Sequence, residues 1–573
     1  MNVPAISETK IDQIPTPESD VVAIDVELLG MERGKLHRPT GKFGSLAISD
    51  GRTVWVILQQ DRIQPALDAV RDCTWVFHNA QFDIFHLRRW AEIAERPPGR
   101  FWDTMIWERI LWSGYFDSMG LEDLARRYLD ISLSKEPRKL FETYSYMTPK
   151  MLEYAEMDAF MTWHIYQAQR RELQTRPDAD ALLALWNDIE GPMLEVVLNF
   201  KGFLVSRQMW ESVSLAYEKQ RDKIKATLDF NPASPQQVRA ALAKVGINVP
   251  STAADVLEPY RDNEIVQRVL EFRKAAKLAG TYGRKFLEKH QEADGRIYSH
   301  YWTYGAQTGR MASSDPNQQN IPKSPEFRSG FVAAPGHKLI VADYSQQESR
   351  IAAAISNDEF LLDLFRRGED IHLMVARQIY DDDTITKDDP RRFLGKTLNL
   401  AITYGLTAPS FAKRVTQWNH QRGIKQTFST AEAQTLIDSY FRTCRGIRAY
   451  IDTQRLRGQR EGRVTTRLGR VIHLNLYNDQ WMNIAINAPI QGGAADQMKM
   501  ALVSLFRECK DRGLEFPVVT VVHDEIVAEV PTEQTALYSD LIERCMLEAG
   551  ERLYPEVVWK VGVAVGDNWG VKE

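Results

Sequence analysis

The chain has 573 residues, 44% hydrophobic and 26% charged, with a net charge of −5 and a pI near 6.2. That length predicts roughly two to four domains of ordinary globular composition. It argues against a membrane-spanning helix, since no apolar run approaches ~20 residues, and against a disulfide or CxxC zinc module, since Cys73, Cys444, Cys509 and Cys545 are scattered. The acidic balance is weak evidence against a nucleic-acid partner, because a local basic groove suffices for binding.

Residues 1–18, with Pro15 and Pro17, carry no signal-peptide pattern and are expected as a flexible tail. An α/β domain is predicted over 19–178. Strand patterns occupy 21–26, 43–48, 53–58 and 75–77, with Asp50-Gly51 as a hairpin turn. Helices are predicted over 103–112, over 121–129 and from Thr148, where a capping hydroxyl precedes Pro149. Residues 179–295 are predicted almost wholly helical. There Ser234-Pro235-Gln236-Gln237 fits a capping box, and Arg273, Lys274 and Lys277 form a basic helical face. A second helical region spans 357–462, a hairpin turns at Leu468-Gly469, and an Ala/Met-rich helix over 481–509 is expected to be interrupted by Pro489. Apolar strands at 339–341, 518–522 and 526–530 complete the pattern.

Two sets of residues carry chemistry. Asp25 and Glu27 lie two apart on the first strand and so share a face. Two like charges so close are costly without a cation between them. Phe77-His78-Asn79-Ala80-Gln81-Phe82-Asp83 leads from a strand into a helix carrying Asp83, and Tyr154 and Asp158 share a helical face four residues apart. Such carboxylates can hold two divalent metals about 4 Å apart, one generating hydroxide and the other stabilising a leaving 3′ oxygen. The ordered set Asp25, Glu27, Asp83, Tyr154 and Asp158 resembles the DEDD-type 3′→5′ exonucleases of the tyrosine subclass. The resemblance implies an active exonuclease with Tyr154 positioning the attacking water.

The second set begins at Thr308-Gly309-Arg310-Met311-Ala312-Ser313-Ser314-Asp315-Pro316-Asn317-Gln318-Gln319-Asn320, dense in amides and hydroxyls that suit sugar, phosphate and minor-groove contacts. The strand at 339–341 then ends at Asp343, with a helix from Gln346 onward. A carboxylate in that position needs a partner and more often faces a cleft and holds a metal. His523-Asp524-Glu525 repeats the arrangement between two β-branched strands. Arg392, Lys396, Leu400 and Tyr404 recur at four-residue steps as one drifting helical stripe. Two cations at one end of it can clamp a triphosphate and neutralise pyrophosphate as it leaves.

In this order the stretches resemble the signature motifs of family A DNA polymerases, the relatives of bacterial DNA polymerase I, and the resemblance covers nearly the whole chain. It implies a multi-domain α/β fold: an RNase H-like exonuclease domain (19–178), then a right-hand polymerase with thumb (179–295), first palm part (296–356), fingers (357–462) and second palm part (463–573). It implies a proofreading DNA-dependent DNA polymerase with two Mg²⁺ per active site, Mn²⁺ being able to substitute. Asp343, Asp524 and the Tyr344 carbonyl would bind metal in the palm, and Asp25, Glu27, Asp83 and Asp158 in the exonuclease. Glu348 would crowd the sugar 2′ position and exclude ribonucleotides. His372, Arg392, Lys396, Leu400 and Tyr404 would contact the nucleotide, and Lys396 could protonate the leaving group. Arg310, Asn317, Gln319, Asn320, Asn487, Gln491 and His523 would contact DNA, and Glu525 would be a secondary carboxylate. The implied partners are primer-template DNA and dNTPs, for a cytoplasmic monomer.

Leu400 stands where the family has Phe or Tyr, Ala401 where it has Gly, and Asn483 where it has Arg. Gln347 and Ser349 replace aliphatic residues. A polar Gln347 beside the metal site suggests an altered nucleotide preference. The exonuclease strand begins almost at once, so no 5′→3′ nuclease is expected ahead of it, a compact form common among bacteriophage enzymes. The competing readings are a nucleic-acid scaffold or repair adaptor whose palm no longer catalyses, with the exonuclease as its only activity, and a single-subunit RNA polymerase or reverse transcriptase on the same palm; Glu348 argues against ribonucleotides.

Overall fold

The structure, a computed structural model, describes residues 5–30, 41–93, 101–132, 137–420 and 427–571. The N-terminal part is a six-stranded sheet built on β2 (Val21–Leu29), whose apolar run is buried on both faces. The remaining strands are β1 (Glu8–Ile11), β3 (Lys42–Ser49), β4 (Thr53–Ile57), β5 (Thr74–Phe77) and β6 (Phe101–Asp103), in the order β1-β4-β3-β2-β5-β6. β2, β5 and β6 are parallel, whereas β2, β3 and β4 are antiparallel. Part of the expected tail is therefore ordered. β1 pairs parallel to β4, and the pairing is extended by Ser7 N–H to the Arg52 carbonyl and Asp12 N–H to the Val56 carbonyl, both at 2.9 Å.

Helix α1 (Ala80–Leu87) follows β5, and α2 (Thr104–Trp112) follows β6, capped by the Asp103 carboxylate. The long α3 (Pro149–Thr175) lies across β2, β3 and β4. Pro149 opens it as expected, but the Thr148 hydroxyl makes no capping bond.

A π-helical turn, Trp186–Glu190, leads into the mostly helical stretch. That stretch is not purely helical: Phe203–Leu204 pairs with Arg296–Ile297 and brings its two ends together. Ser234 caps its helix, but Gln237 turns to the Asn231 N–H (2.7 Å) instead of closing a capping box. Arg273 points into the protein, donating to the Thr252 carbonyl and hydroxyl.

The C-terminal part centres on a four-stranded antiparallel sheet. Its strands are β7 (His337–Tyr344), β8 (Val518–Val522), β9 (Glu525–Pro531) and β10 (Val561–Gly566), in the order β8-β9-β7-β10. Alternation along a strand sends side chains to opposite faces. Ile340 and Ala342 enter one core cluster, while Leu339 and Val341 enter another with Phe203, Trp210 and Trp569. Helix α4 (Gln347–Ser356) follows β7, and α5 (Pro390–Ala401) stands in the second helical region.

Helix α6 (Trp481–Asp511) runs unbroken through Pro489. Most of it from Ala485 to Leu505 is buried, and tertiary packing outweighs the local penalty of the proline. Among the described residues no helix is long and apolar enough to cross a membrane.

Candidate active sites

The first site lies where β2, α1 and α3 meet. Asp25 and Glu27 share a face of β2. The register shifts at Glu27, where the missing Cβ of Gly44 leaves room for the Glu27 carbonyl, 2.8 Å from where a Cβ would sit. Asp83 is seated on the strand, its Oδ1 accepting from Val26 N–H at 2.9 Å. The helix carrying Asp83 starts at Asn79, in a left-handed conformation (φ 71°), with Asp103 accepting from Ala80 N–H at 2.7 Å. Tyr154 and Asp158 descend from α3, joined by a side-chain hydrogen bond.

The electrostatics here are those of crowded, buried acids. Asp25 is pushed up to about 7 by burial, against the pull of Arg138. Burial and repulsion from Asp25 lift both Glu27 and Asp83 well above the usual carboxylate range. Asp158 rises for the same two reasons. Asp25 Oδ2 is buried with no hydrogen-bond partner among the described residues. The side chains are not drawn into a finished cage: among the described residues no three metal-binding side chains form one. A cation would satisfy the orphaned oxygen and relieve the repulsion, so the donor set fits divalent metal.

Arg138, which the motif reading missed, opens a short helix (Arg138–Thr143) and lowers Asp25, Glu27 and Asp158 alike. No local spacing marks it.

The second site is set by strand register. Asp343 on β7 pairs with Glu525 on β9, and Tyr344 N–H donates to the Asp524 carbonyl at 3.1 Å. The two motifs, far apart in sequence, thus lie side by side. His523 takes a positive φ of 59° in the turn that presents Asp524, a conformation costly for a non-glycine residue. Asp343 reaches solvent at the strand end, yet the surrounding protein, then Asp524 and Glu525, push it up to about 7 against Lys323 and Arg328. Burial also raises Asp524, with Lys323 and His523 opposing. Two facing acids above their ordinary range again suit a cation.

Glu525 is committed elsewhere: Arg328 Nη1 holds both its oxygens (3.0 and 3.2 Å), and Trp569 Nε1 donates at 2.7 Å. As it stands, the expected secondary carboxylate belongs to an ion pair. Lys323 and Arg328 were missed, although both closely follow the amide-rich loop.

Beside Asp524 lies a cavity of about 310 Å³, lined in part by Arg310, Gln319, Glu348, His523 and Asp524. Glu348, in the first turn of α4, is gripped by Arg310 and by the Tyr404 hydroxyl. Tyr404, pushed up to about 12 by burial and Glu348, is also hydrogen-bonded to Gln491. Gln319 Nε2 reaches the Val521 carbonyl at 3.5 Å. Asn487 Oδ1 is buried and has no hydrogen-bond partner among the described residues. Asn317 and Asn320 are exposed.

On the facing helices Arg392 is not a free cation. It pairs with Asp370 at 2.7 and 2.9 Å, and Asp370 also caps the helix that starts at Ile371. Lys396 is exposed. His372 is held down to about 4, by burial first and then by Lys396 and Arg392, so it is neutral at pH 7. The side chain of Leu400 lies outside the described residues. Helix α5 ends at Ala401, a 3-10 turn carries Tyr404, and Gly405 follows at φ 75°. Asn483 packs so closely there that a Cβ on Gly405 would fall 1.9 Å from its Oδ1.

The departures at Gln347 and Ser349 have a structural reading. Both are buried. The Gln347 amide donates to the Ala494 carbonyl (3.2 Å) and Gln497 Oε1 (3.0 Å) on α6. Its polarity ties α4 to α6, and both Gln347 and Ser349 also line the cavity.

A family model described as DNA polymerase family A matches residues 205–571, and one described as 3′-5′ exonuclease matches residues 11–174. A DNA polymerase I of Pseudomonas aeruginosa is 30% identical, over 96% of this chain and 64% of that one. A DNA polymerase I of Aquifex aeolicus is 29% identical, over 91% and 92%. This chain thus spans just under two thirds of the first relative and nearly all of the second. The solved POL domain of Pol1 from M. smegmatis, in complex with DNA primer-template and dNTP, superposes with a TM-score of 0.80 at 26% identity, covering 96% and 95% of the two chains.

Proposed function

The chain belongs to DNA polymerase family A, with a 3′-5′ exonuclease domain ahead of the polymerase domain, and from that premise we propose that it extends a DNA primer on a DNA template and proofreads the product. The observation that carries this reading is the β7–β9 register, which pairs Asp343 with Glu525 and so brings it next to Asp524, at a cavity that Asp524 and Glu348 line.

Asp343, Asp524 and the Tyr344 carbonyl would hold Mg²⁺, and so would Asp25, Glu27, Asp83 and Asp158. Bound there, the ions would activate a 3′ hydroxyl or a water and neutralise the leaving group. The protein's own groups do the rest. Arg392 and Lys396 take the triphosphate. Arg392 must first leave Asp370, so that contact opens as the helices close over the nucleotide. Neutral His372 can serve as a hydrogen-bond donor but not as a counter-ion. Glu348 fills the space beside the sugar 2′ carbon, held by Arg310 and Tyr404. Arg310, Gln319, Asn487, Gln491 and His523 face the primer-template.

In the exonuclease Tyr154 stays a neutral hydroxyl, its pKa raised far above the ordinary value by burial and Asp158. It can orient a water but not deprotonate it. A frayed 3′ end is drawn in by backbone contacts and stacking.

Primer extension with Mg²⁺, offering dNTPs or rNTPs, tests both activities. Asp343→Ala is expected to abolish extension and spare degradation, and Asp25→Ala the reverse. Extension that survives Asp343→Ala would overturn the assignment.

A further inference from the structure

One buried cluster takes no part in the chemistry above. Arg470, in the hairpin joining Arg463–Thr465 to Val471–His473, is fully buried. Its Nε and Nη2 donate to Asp496 Oδ1 at 2.8 and 2.6 Å, and Nη2 also donates to Glu190 Oε1 at 2.5 Å. Lys499 donates to the same Glu190 oxygen at 2.6 Å, and Thr466 donates to Asp496 at 2.7 Å. Two cations and two carboxylates neutralise each other away from water. Such a quartet gains little over an apolar core of equal volume, because every charge must be desolvated. Its use lies in what it supports.

The flat guanidinium is a platform under two active-site segments. It covers the Tyr304 ring, 4.7 Å from the centroid. The loop from Tyr304 returns over it at Gly309, whose φ is +80°. A Cβ there would fall 2.5, 2.5 and 2.6 Å from the guanidinium Cζ, Nε and Nη1. The next residue is Arg310, paired with Glu348. Asp496 belongs to α6, in which Gly492 packs under the same hairpin and loop. A Cβ on Gly492 would lie 2.5 Å from Thr466 Cγ2 and 3.2 Å from the Thr308 carbonyl. The residue before it, Gln491, bonds Tyr404. One side chain thus braces the backbone beside two residues that hold Glu348 in place. Arg310 grips it directly, and Gln491 acts through Tyr404.

We propose that Arg470 is a positioning residue of the polymerase site, fixing Gly309 against α6 and so setting Arg310 and Tyr404 on Glu348. The proposal rests on the polymerase reading above, and extension by the wild-type chain tests that reading separately.

The experiment compares Arg470→Met, Arg470→Lys, Arg310→Ala and the Arg470→Met/Arg310→Ala double variant. It reads kcat/KM for dNTP and rNTP, with exonuclease rate on single-stranded DNA and melting temperature as controls for folding. Arg470→Met is expected to lower kcat/KM for dNTP about thirtyfold by misplacing the site, with the exonuclease within about twofold of wild type. The dNTP-over-rNTP ratio should fall about tenfold. Arg470→Lys keeps the charge but not the planar two-point hold, so its ratio falls as well; it decides the matter if Arg470→Met does not fold. The double variant should be worse than Arg310→Ala alone but lose less than the product of the two single defects, since Arg470 acts partly through Arg310 and partly through Gln491 and Tyr404. An unchanged ratio in a folded Arg470 variant, or defects that multiply in the double variant, overturns the proposal.

Discussion

Arg328 pairs with Glu525 and is one of two cations that hold Asp343 down, and Arg328→Met exposes that role. Met retains a long side chain against the Trp569 ring, which the guanidinium now covers at 4.3 Å. The Arg328 and Glu525 side chains are only 10% and 14% exposed, so solvent screens the pair little. Removing one partner of a buried pair costs about 3–5 kcal/mol. Here about 2–3 kcal/mol is expected, because Trp569 still donates to Glu525.

The larger consequence is electrostatic. Asp343 already sits at about 7 through burial, Asp524 and Glu525, and Arg328 is one of the two cations holding it down. Without Arg328 its pKa rises further. A carboxylate must be ionised to bind metal, so the acid limb of extension activity moves to higher pH, by about one unit for each 1.4 kcal/mol of lost interaction. In metal-free protein stability runs the opposite way with pH. A folded pKa raised above the unfolded one means stability that is present at low pH and lost as pH rises through about 7. The assay is kcat/KM for extension across pH at fixed Mg²⁺, with the exonuclease profile of the same chain as reference. Glu525→Gln removes a negative charge and should shift the limb the other way. A limb that stays in place or moves down in Arg328→Met refutes the reasoning.

Arg138→Met should move the acid limb of exonuclease activity upward and leave extension unchanged, since Arg138 lowers Asp25, Glu27 and Asp158. Because Arg138 is exposed, the shift should stay below about one unit and close up in high salt; a shift that persists in molar salt counts against it. Trp210 is fully buried, stacked on Phe286 at 5.0 Å and edged by Phe327 and Phe331 at 5.5 Å each. Trp210→Ala should cost about 3–5 kcal/mol, read by denaturant unfolding and by proteolysis near residues 207–226, whereas Trp210→Phe should behave almost as wild type. Equal stability of the two variants would rule out packing as the cause.

Much of each site was legible locally. Strand alternation put Asp25 and Glu27 on one face, helical spacing paired Tyr154 with Asp158, and apolar runs ending in acid marked Asp343 and Asp524. Local rules failed where packing outvoted them. Pro489 lies inside an unbroken helix, Thr148 does not cap, and the expected tail supplies an edge strand. Gln347, read from its position beside Asp343, also bonds α6 through its amide.

What the sequence determines by itself is the set of motifs and the elements that carry them. Those rest on spacing within one strand or helix, where the backbone dictates which side chains meet. Only the tertiary structure decides how charges are shared between distant segments. Arg328 occupies Glu525, Asp370 occupies Arg392, and Arg470 binds Glu190 and Asp496 across gaps of 280 and 26 residues. No periodicity encodes such pairs, because an ionic partner is chosen by proximity after folding, and burial then fixes how strongly each charge is felt.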